Sequence, residues 1–334
     1  MATNEQRRDW IRISLCDGVR PETWLYALET AKAADVDPHE FLTLSHLQRE
    51  RTFHTPEGLE RALQQHPGDT KRIDQLLDAL DRHDIWMIPA WDEHYPDVVR
   101  QCMGAQAPPV LYCWGDRRIL SRAALAMVGA SEASASGLTA AQAYAEAVAA
   151  RKIAVVSGLA RGIDTASHQG ALAADEGATI AVLPHGILRL AWPDELAGDA
   201  DPSRVLAVSS WPPDHGWESR YAVERNKLIV ALSDGVFAVE TGLTGGTTYS
   251  VREARRTHKP LMTLEYAKGE TPPSAVGNHS LRALGARMLP VIQHAAEAPL
   301  QGLLEDVDRQ YKCRKSGVPW GDSGRADDAQ GELF

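Results

Sequence analysis

The chain has 334 residues, 44% of them hydrophobic and 24% charged, which is enough for one large α/β domain with a buried core and a smaller domain beside it. Its net charge of −10 excludes a surface broadly coated with cations for nucleic acid, so any such binding must come from a local basic cleft. Four dispersed cysteines (Cys16, Cys102, Cys113, Cys313) without CxxC spacing indicate neither a disulfide framework nor a metal site; no apolar run approaches a membrane span, and the first residues do not read as a signal peptide, so a cytoplasmic protein without cofactor is expected.

In chain order, residues 1–100 read as a helical N-terminal domain and linker. Arg20-Pro21-Glu22 and Asp37-Pro38-His39 place proline just inside helix starts, and Ile73, Leu76, Leu77 and Leu80 share one helical face. A short strand at Ile85–Ile88 follows. Residues 101–298 alternate strands with helices: strands at Ala124–Val128, Ile153–Val156, Thr179–Leu183, Val205–Val208, Gly235–Glu240 and Lys259–Leu264, and helices at Leu138–Val148, Ala166–Ala174, Arg225–Leu232 and Tyr249–Arg256. Such alternation implies right-handed crossovers and a parallel sheet. The Trp- and Pro-rich segment Trp211–Trp217 reads as an irregular loop. Periodicity fades beyond Val291, and 299–334 is expected to be a mostly disordered tail.

Three turns between strand and helix carry the candidate chemistry. Ser131, Ser134 and Gly137 follow the first parallel strand without the GxGxxG spacing of a dinucleotide site. Ser157, Gly158, Arg161 and Gly162 follow the second, where two glycines let amide N–H groups face a ligand beside a helix amino end, with Asp164 as the expected N-cap. Thr244, Gly245, Gly246, Thr247 and Thr248 form the third. Arg225 and Asn226 are placed at a helix start, where a cationic residue opposes the dipole unless an anion compensates it; Lys227 is an adjunct.

The SGLARGID run of Ser157–Asp164 with its spaced His168 resembles the signature of the DNA-processing protein A (DprA, or Smf) family. So do Asp92-Glu93-His94-Tyr95-Pro96, Ala107–Tyr112, Gly177–Leu183, Arg225–Ile229, Gly277-Asn278 and Gly285-Ala286, in the family's order over roughly residues 80–290. The resemblance implies an α/β fold: an extended Rossmann-like, mostly parallel sheet with helices on both faces, preceded by a small helical domain. It also implies a non-enzymatic protein that binds and protects single-stranded DNA, helps load the recombinase RecA, and forms homodimers. Many members of the family continue into a winged-helix domain; with only some forty residues after Val291, a member lacking it is expected.

Two departures stand out. Ser131 occupies the place of the family's loop arginine, and Ala222 that of a base-stacking phenylalanine, with Tyr221 one residue away. A second reading comes from Gly245–Thr248 with Glu253, which loosely resemble the PGGxGTxxE motif of lysine-decarboxylase-like phosphoribohydrolases (the LOG group), with Thr244 in place of the proline. That reading implies a small-nucleotide sensor or hydrolase. Transformation, recombination and phage defence are all compatible with these patterns. The terminal Gln330, Leu333 and Phe334 resemble the peptide by which repair proteins dock on the sliding clamp, with Gly331 where a leucine is usual.

Overall fold

The structure is a computed structural model describing residues 2–16, 18–65 and 70–316. The chain forms two compact units, one comprising the chain up to Leu120 together with Ile180–Leu228, the other Ser121–Thr179 together with the chain from Ile229 onward. The division therefore does not fall at residue 100: the chain leaves the first unit, returns to it and leaves again.

Six helices open the chain: α1 (Asn4–Leu15), α2 (Pro21–Ala33), α3 (Pro38–Thr43), α4 (His46–Phe53), α5 (Glu57–Gln65) and α6 (Thr70–Arg82). Local signals set their starts. Thr3 and Gln6 form a reciprocal capping box on α1, Ser45 and Gln48 another on α4, and Pro21 and Pro38 begin α2 and α3. Ile73, Leu76, Leu77 and Leu80 are buried as their spacing predicts. Arg49 and Glu60, both almost fully buried, pair at 2.8 Å. Next come β1 (Trp86–Pro89), α7 (Asp97–Met103) and β2 (Val110–Gly115). Strand β2 is absent from the sequence-based reading.

The chain then makes β3 (Ala124–Val128), α8 (Ala135–Ala149), β4 (Ala154–Ser157), α9 (Ile163–Ala173), β5 (Thr179–Val182), α10 (Asp194–Ala197), β6 (Val205–Ser209) and α11 (Ser219–Ala231). It ends in β7 (Gly235–Ala238), α12 (Gly246–Arg256), β8 (Leu261–Glu265), α13 (Asn278–Ala283), β9 (Arg287–Pro290) and α14 (Leu300–Ser316). In the first unit β2 pairs antiparallel with both β1 and β6. In the second the strand order is β4-β3-β7-β8-β9, all parallel. Every residue of β3 is buried, which is why it reads as an unbroken apolar run. The chain goes from β3 to β4 on one side and later adds β7 on the other, so a topological switch point lies between β3 and β7. The expectation of a mostly parallel, Rossmann-like α/β sheet with a helical N-terminal region holds.

Two expectations fail. Helix α11 begins at Ser219, not Arg225, so Arg225 lies inside the helix and the helix-start electrostatic argument for it lapses. Residues 300–316 are not a disordered tail but α14, with Leu303 and Val307 buried against Phe237 and Met262. Leu300, Leu303, Leu304 and Val307 carry the helical spacing that burial requires. The remainder of that segment, including Gln330, Leu333 and Phe334, lies outside the described residues.

Candidate nucleic-acid interface

All three glycine-containing turns belong to the second unit, and they follow strands β3, β4 and β7 at their carboxyl ends. After β3, Ser134 caps α8, its hydroxyl accepting from the Gly137 amide at 3.0 Å. Glu240, just past β7 and fully buried, reaches across the switch point to the same helix end. Its Oε2 accepts the Ser134 amide at 2.9 Å, and its Oε1 accepts the hydroxyls of Ser134 and Tyr266. Burial, then the hydrogen bond to Glu240, pushes the Tyr266 hydroxyl pKa upward. Gly137 lies directly under this carboxylate: a Cβ there would stand 2.2 Å from Glu240 and force it to move. Ser131 is exposed.

The turn after β4 is built in the same way. Ser157 is buried and donates to the Met127 carbonyl at 2.6 Å. The N-cap of α9 is Gly162, with φ +78°, and not Asp164 as expected. Asp164 sits in the first helical turn and its Oδ2 accepts the amides of Gly158 and Ala160 at 3.1 and 3.4 Å. A side chain at Gly162 would meet the carbonyls of Ala130 and Ser131 at 2.5 and 2.6 Å, so this turn and the β3 turn press backbone to backbone. Arg161 projects from that junction: it is exposed, and among the described residues no hydrogen bond or ion pair holds its guanidinium. His168 is buried in α9, with Nδ1 2.6 Å from the Thr179 hydroxyl, so this anchor lies beyond the helix and not within it as expected.

The third turn is tied down from behind. Asn278, buried at the start of α13, accepts the Thr241 amide at 2.8 Å and donates to the carbonyls of Val239 and Leu264 at 2.8 and 3.1 Å. Ahead of that anchor Thr244, Gly245 and Gly246 are exposed, Thr247 and Thr248 half-buried, and Gly245 caps α12 with φ +119°. No acidic residue stands in the first turn of α12. Tyr249 is 45% exposed, with the Arg252 guanidinium 5.4 Å from its ring centroid. Glu253, the acid the nucleotide-hydrolase reading needs, is instead paired with Arg256 at 2.7 Å.

Tyr221, Arg225, Asn226 and Lys227 belong to the first unit. Tyr221 is engaged within the chain: its ring lies 4.1 Å from Trp211 and 4.8 Å from His215, and the Arg220 guanidinium is 4.7 Å from its centroid. The Trp211-Pro-Pro-Asp-His215 segment, read only as a loop, supplies this aromatic wall. Arg225 is buried, donating to the Val182 carbonyl and, at 3.2 Å, to the Asn226 side chain. Lys227 reaches Gln106 at 3.4 Å. Burial of Arg225 gives it a structural task that its helix-start placement had hidden.

Residues 86–298, well over half the chain, match the family model described as DNA recombination-mediator protein A. The chain belongs to that family. DNA recombination-mediator protein A relatives include Protein Smf of Escherichia coli, 31% identical over 65% of this chain and 57% of the relative. Another is a putative DNA processing protein DprA of Mycobacterium tuberculosis, 30% identical over 68% and 61%. The chain thus spans about three-fifths of the length of these curated relatives. Two solved structures share the fold: DNA processing protein A of Streptococcus pneumoniae (TM-score 0.70, 21% identity, 89% of this chain and 99% of that one), and that of Helicobacter pylori, reported for its single-stranded DNA binding mode (TM-score 0.53, 22% identity, 68% and 96%).

The family segments found in the sequence divide by task in this DNA recombination-mediator protein A member. Tyr95 is buried with its hydroxyl on the Pro108 carbonyl at 2.8 Å, so the DEHYP and APPVLY segments hold each other. Gly277-Asn278 anchors the third turn, the Gly277 amide donating to the Thr241 carbonyl at 2.8 Å. Among the described residues no His, Cys, Asp and Glu cluster is arranged for a metal, and no helix is long and apolar enough to cross a membrane.

Proposed function

We propose that this protein is a single-stranded DNA binder that holds the strand through its phosphates, protects it and helps load a RecA-type recombinase, without catalysing a reaction. The observation that carries the reading is Arg161, a cation that no neighbour among the described residues engages, held out from two turns locked backbone to backbone. A chain of net charge −10 has few places where a polyanion can approach, and an unpaired guanidinium on a rigid rim is one. The exposed Thr244–Gly246 turn, ahead of a helix whose first turn carries no acid, supplies a second contact zone with Thr247 and Thr248. Family membership and the Helicobacter pylori protein's reported single-strand binding mode support the same ligand.

Phosphate contacts fix position without reading bases, so binding is sequence-tolerant and salt-sensitive. We place the protein in the cytoplasm as a homodimer, with the Gln330, Leu333 and Phe334 peptide as a sliding-clamp contact. The decisive experiment is fluorescence anisotropy with labelled oligothymidine and a matched duplex across a salt series. Preference for the single strand, falling steeply with salt, is expected; equal affinity for duplex or indifference to salt overturns the reading. A labelled peptide of residues 328–334 titrated against purified clamp tests the clamp contact, and unsaturable binding ends it.

A further inference from the structure

At the switch point of a doubly wound sheet, the crevice beside the first strand is where this architecture holds a nucleotide's phosphates, on the amino end of the helix that follows. Here β3 and β7 flank that crevice, and a side chain of the chain itself stands in it. Glu240 is fully buried and takes three donors at the amino end of the 15-residue α8: the Ser134 amide, the Ser134 hydroxyl and the Tyr266 hydroxyl. Its contact with Gly137 is so close that no Cβ fits between them. One strand away Asp164, 7% exposed, takes two amides of the β4 turn in the same manner.

We infer that Glu240 and Asp164 are resident carboxylates that stand where free phosphate would bind at α8 and α9, and so set specificity against mononucleotides and dinucleotides. The inference rests on the reading of these turns as a phosphate-facing surface and sharpens it. Of the amides on these two turns, those of Ser134, Gly158 and Ala160 are already spent on the two carboxylates, and that of Gly137 on the Ser134 hydroxyl. A phosphodiester must then be met from the rim, by Arg161 and the Thr244–Thr248 turn. A polymer gathers several such shallow contacts along its length, whereas a single nucleotide makes one or two and gains no enclosed pocket. Glu240 and Asp164 are thus specificity-determining residues that act by occupancy, without touching the ligand.

The test uses the full chain in thermal-shift and calorimetric titrations with 5′-AMP and inorganic pyrophosphate, alongside oligothymidine. Wild-type protein should show no thermal shift with either small anion and should bind oligothymidine about a hundredfold tighter than AMP. Glu240→Ala uncovers the Ser134 donors and Gly137; its lowered melting temperature should be partly restored by millimolar pyrophosphate. Glu240→Gln, which keeps the crevice filled, should show no such rescue. If Glu240→Ala does not fold, Asp164→Ala, which frees the Gly158 and Ala160 amides, carries the same rescue test. Saturable AMP or pyrophosphate binding by wild-type protein, or absence of rescue in a folded alanine variant, overturns the inference. Loss of oligothymidine binding with rescue intact would instead sink the strand-binding reading and leave the resident carboxylates standing.

Discussion

Arg314 of α14 meets Asp234 at 3.4 Å with both side chains buried, the guanidinium 8% exposed and the carboxylate 0%. The same guanidinium donates to the Arg122 carbonyl at 2.8 Å, Tyr311 donates to the Ser121 carbonyl, and Asp234 accepts the Ala124 amide at 2.9 Å. The last described helix is therefore fastened to the start of β3 by charge as well as by Leu303 and Val307.

Arg314→Met should destabilise the protein by about 3–5 kcal/mol in urea unfolding, because it strands a buried carboxylate without its cation. Burial already raises the Asp234 pKa and Arg314 lowers it. Removing the arginine raises it further, and a carboxyl with a raised folded pKa stabilises most when protonated. The deficit relative to wild type should therefore shrink as pH falls toward 4, where the carboxyl takes up its proton. A deficit that does not change with pH would mean that Asp234 is not its source.

Arg225→Ala should lower stability by about 1–3 kcal/mol, since the buried Val182 carbonyl loses its donor and a cavity opens around the missing side chain. Denaturant titration checks this. An unchanged midpoint with weakened oligothymidine binding would return Arg225 to the ligand-binding role read from the sequence.

Arg161→Ala should weaken oligothymidine binding while leaving the melting temperature within a degree or so, the exposed guanidinium having no partner to lose among the described residues. The plot of log affinity against log salt should flatten by about 0.7, the loss of one phosphate contact to a single strand. Ser131→Arg, on the neighbouring exposed turn, should do the opposite and steepen it.

His39 lies 2.6 Å from Asp9, and this hydrogen bond raises the imidazole pKa above its ordinary value. A histidine with a raised folded pKa stabilises fully below its unfolded pKa near 6.5 and loses that contribution as pH climbs through the folded one. The melting temperature should therefore fall between pH 6 and pH 8 more in wild type than in His39→Gln. Equal slopes would dismiss the pair.

The sheet core was legible because full burial writes itself as apolar runs: β3 carries the boundaries its sequence indicates, and β4, β5 and β6 fall within a residue of them. The three turns were legible too, since strand, glycine and helix follow one another locally. What each turn does was not. Glu240 reaches the α8 end across the sheet, and Asp164 bonds back over a turn whose path depends on Leu159 at φ +58° and Gly162 at φ +78°. Nothing local marks either carboxylate as an internal acceptor. The irregular segment Trp211–Trp217 hides the helix start at Ser219, and α14 carries its apolar residues between Gly, Asp and Gln, where the regular spacing is easily lost among polar positions.

The closeness of Gly137 to Glu240 makes the two positions a single unit of sequence change. Alanine at 137 alone collides with the carboxylate, and an acid shortened to aspartate at 240 alone draws back from Ser134 and Tyr266. Together the two changes fit each other's space, so Gly137→Ala with Glu240→Asp should unfold at a higher denaturant concentration than the sum of the single losses allows. Substitutions that look tolerable one by one are therefore poor guides to which sequences this fold accepts: at this crevice the admissible steps come in pairs, one from each side of the sheet's reversal.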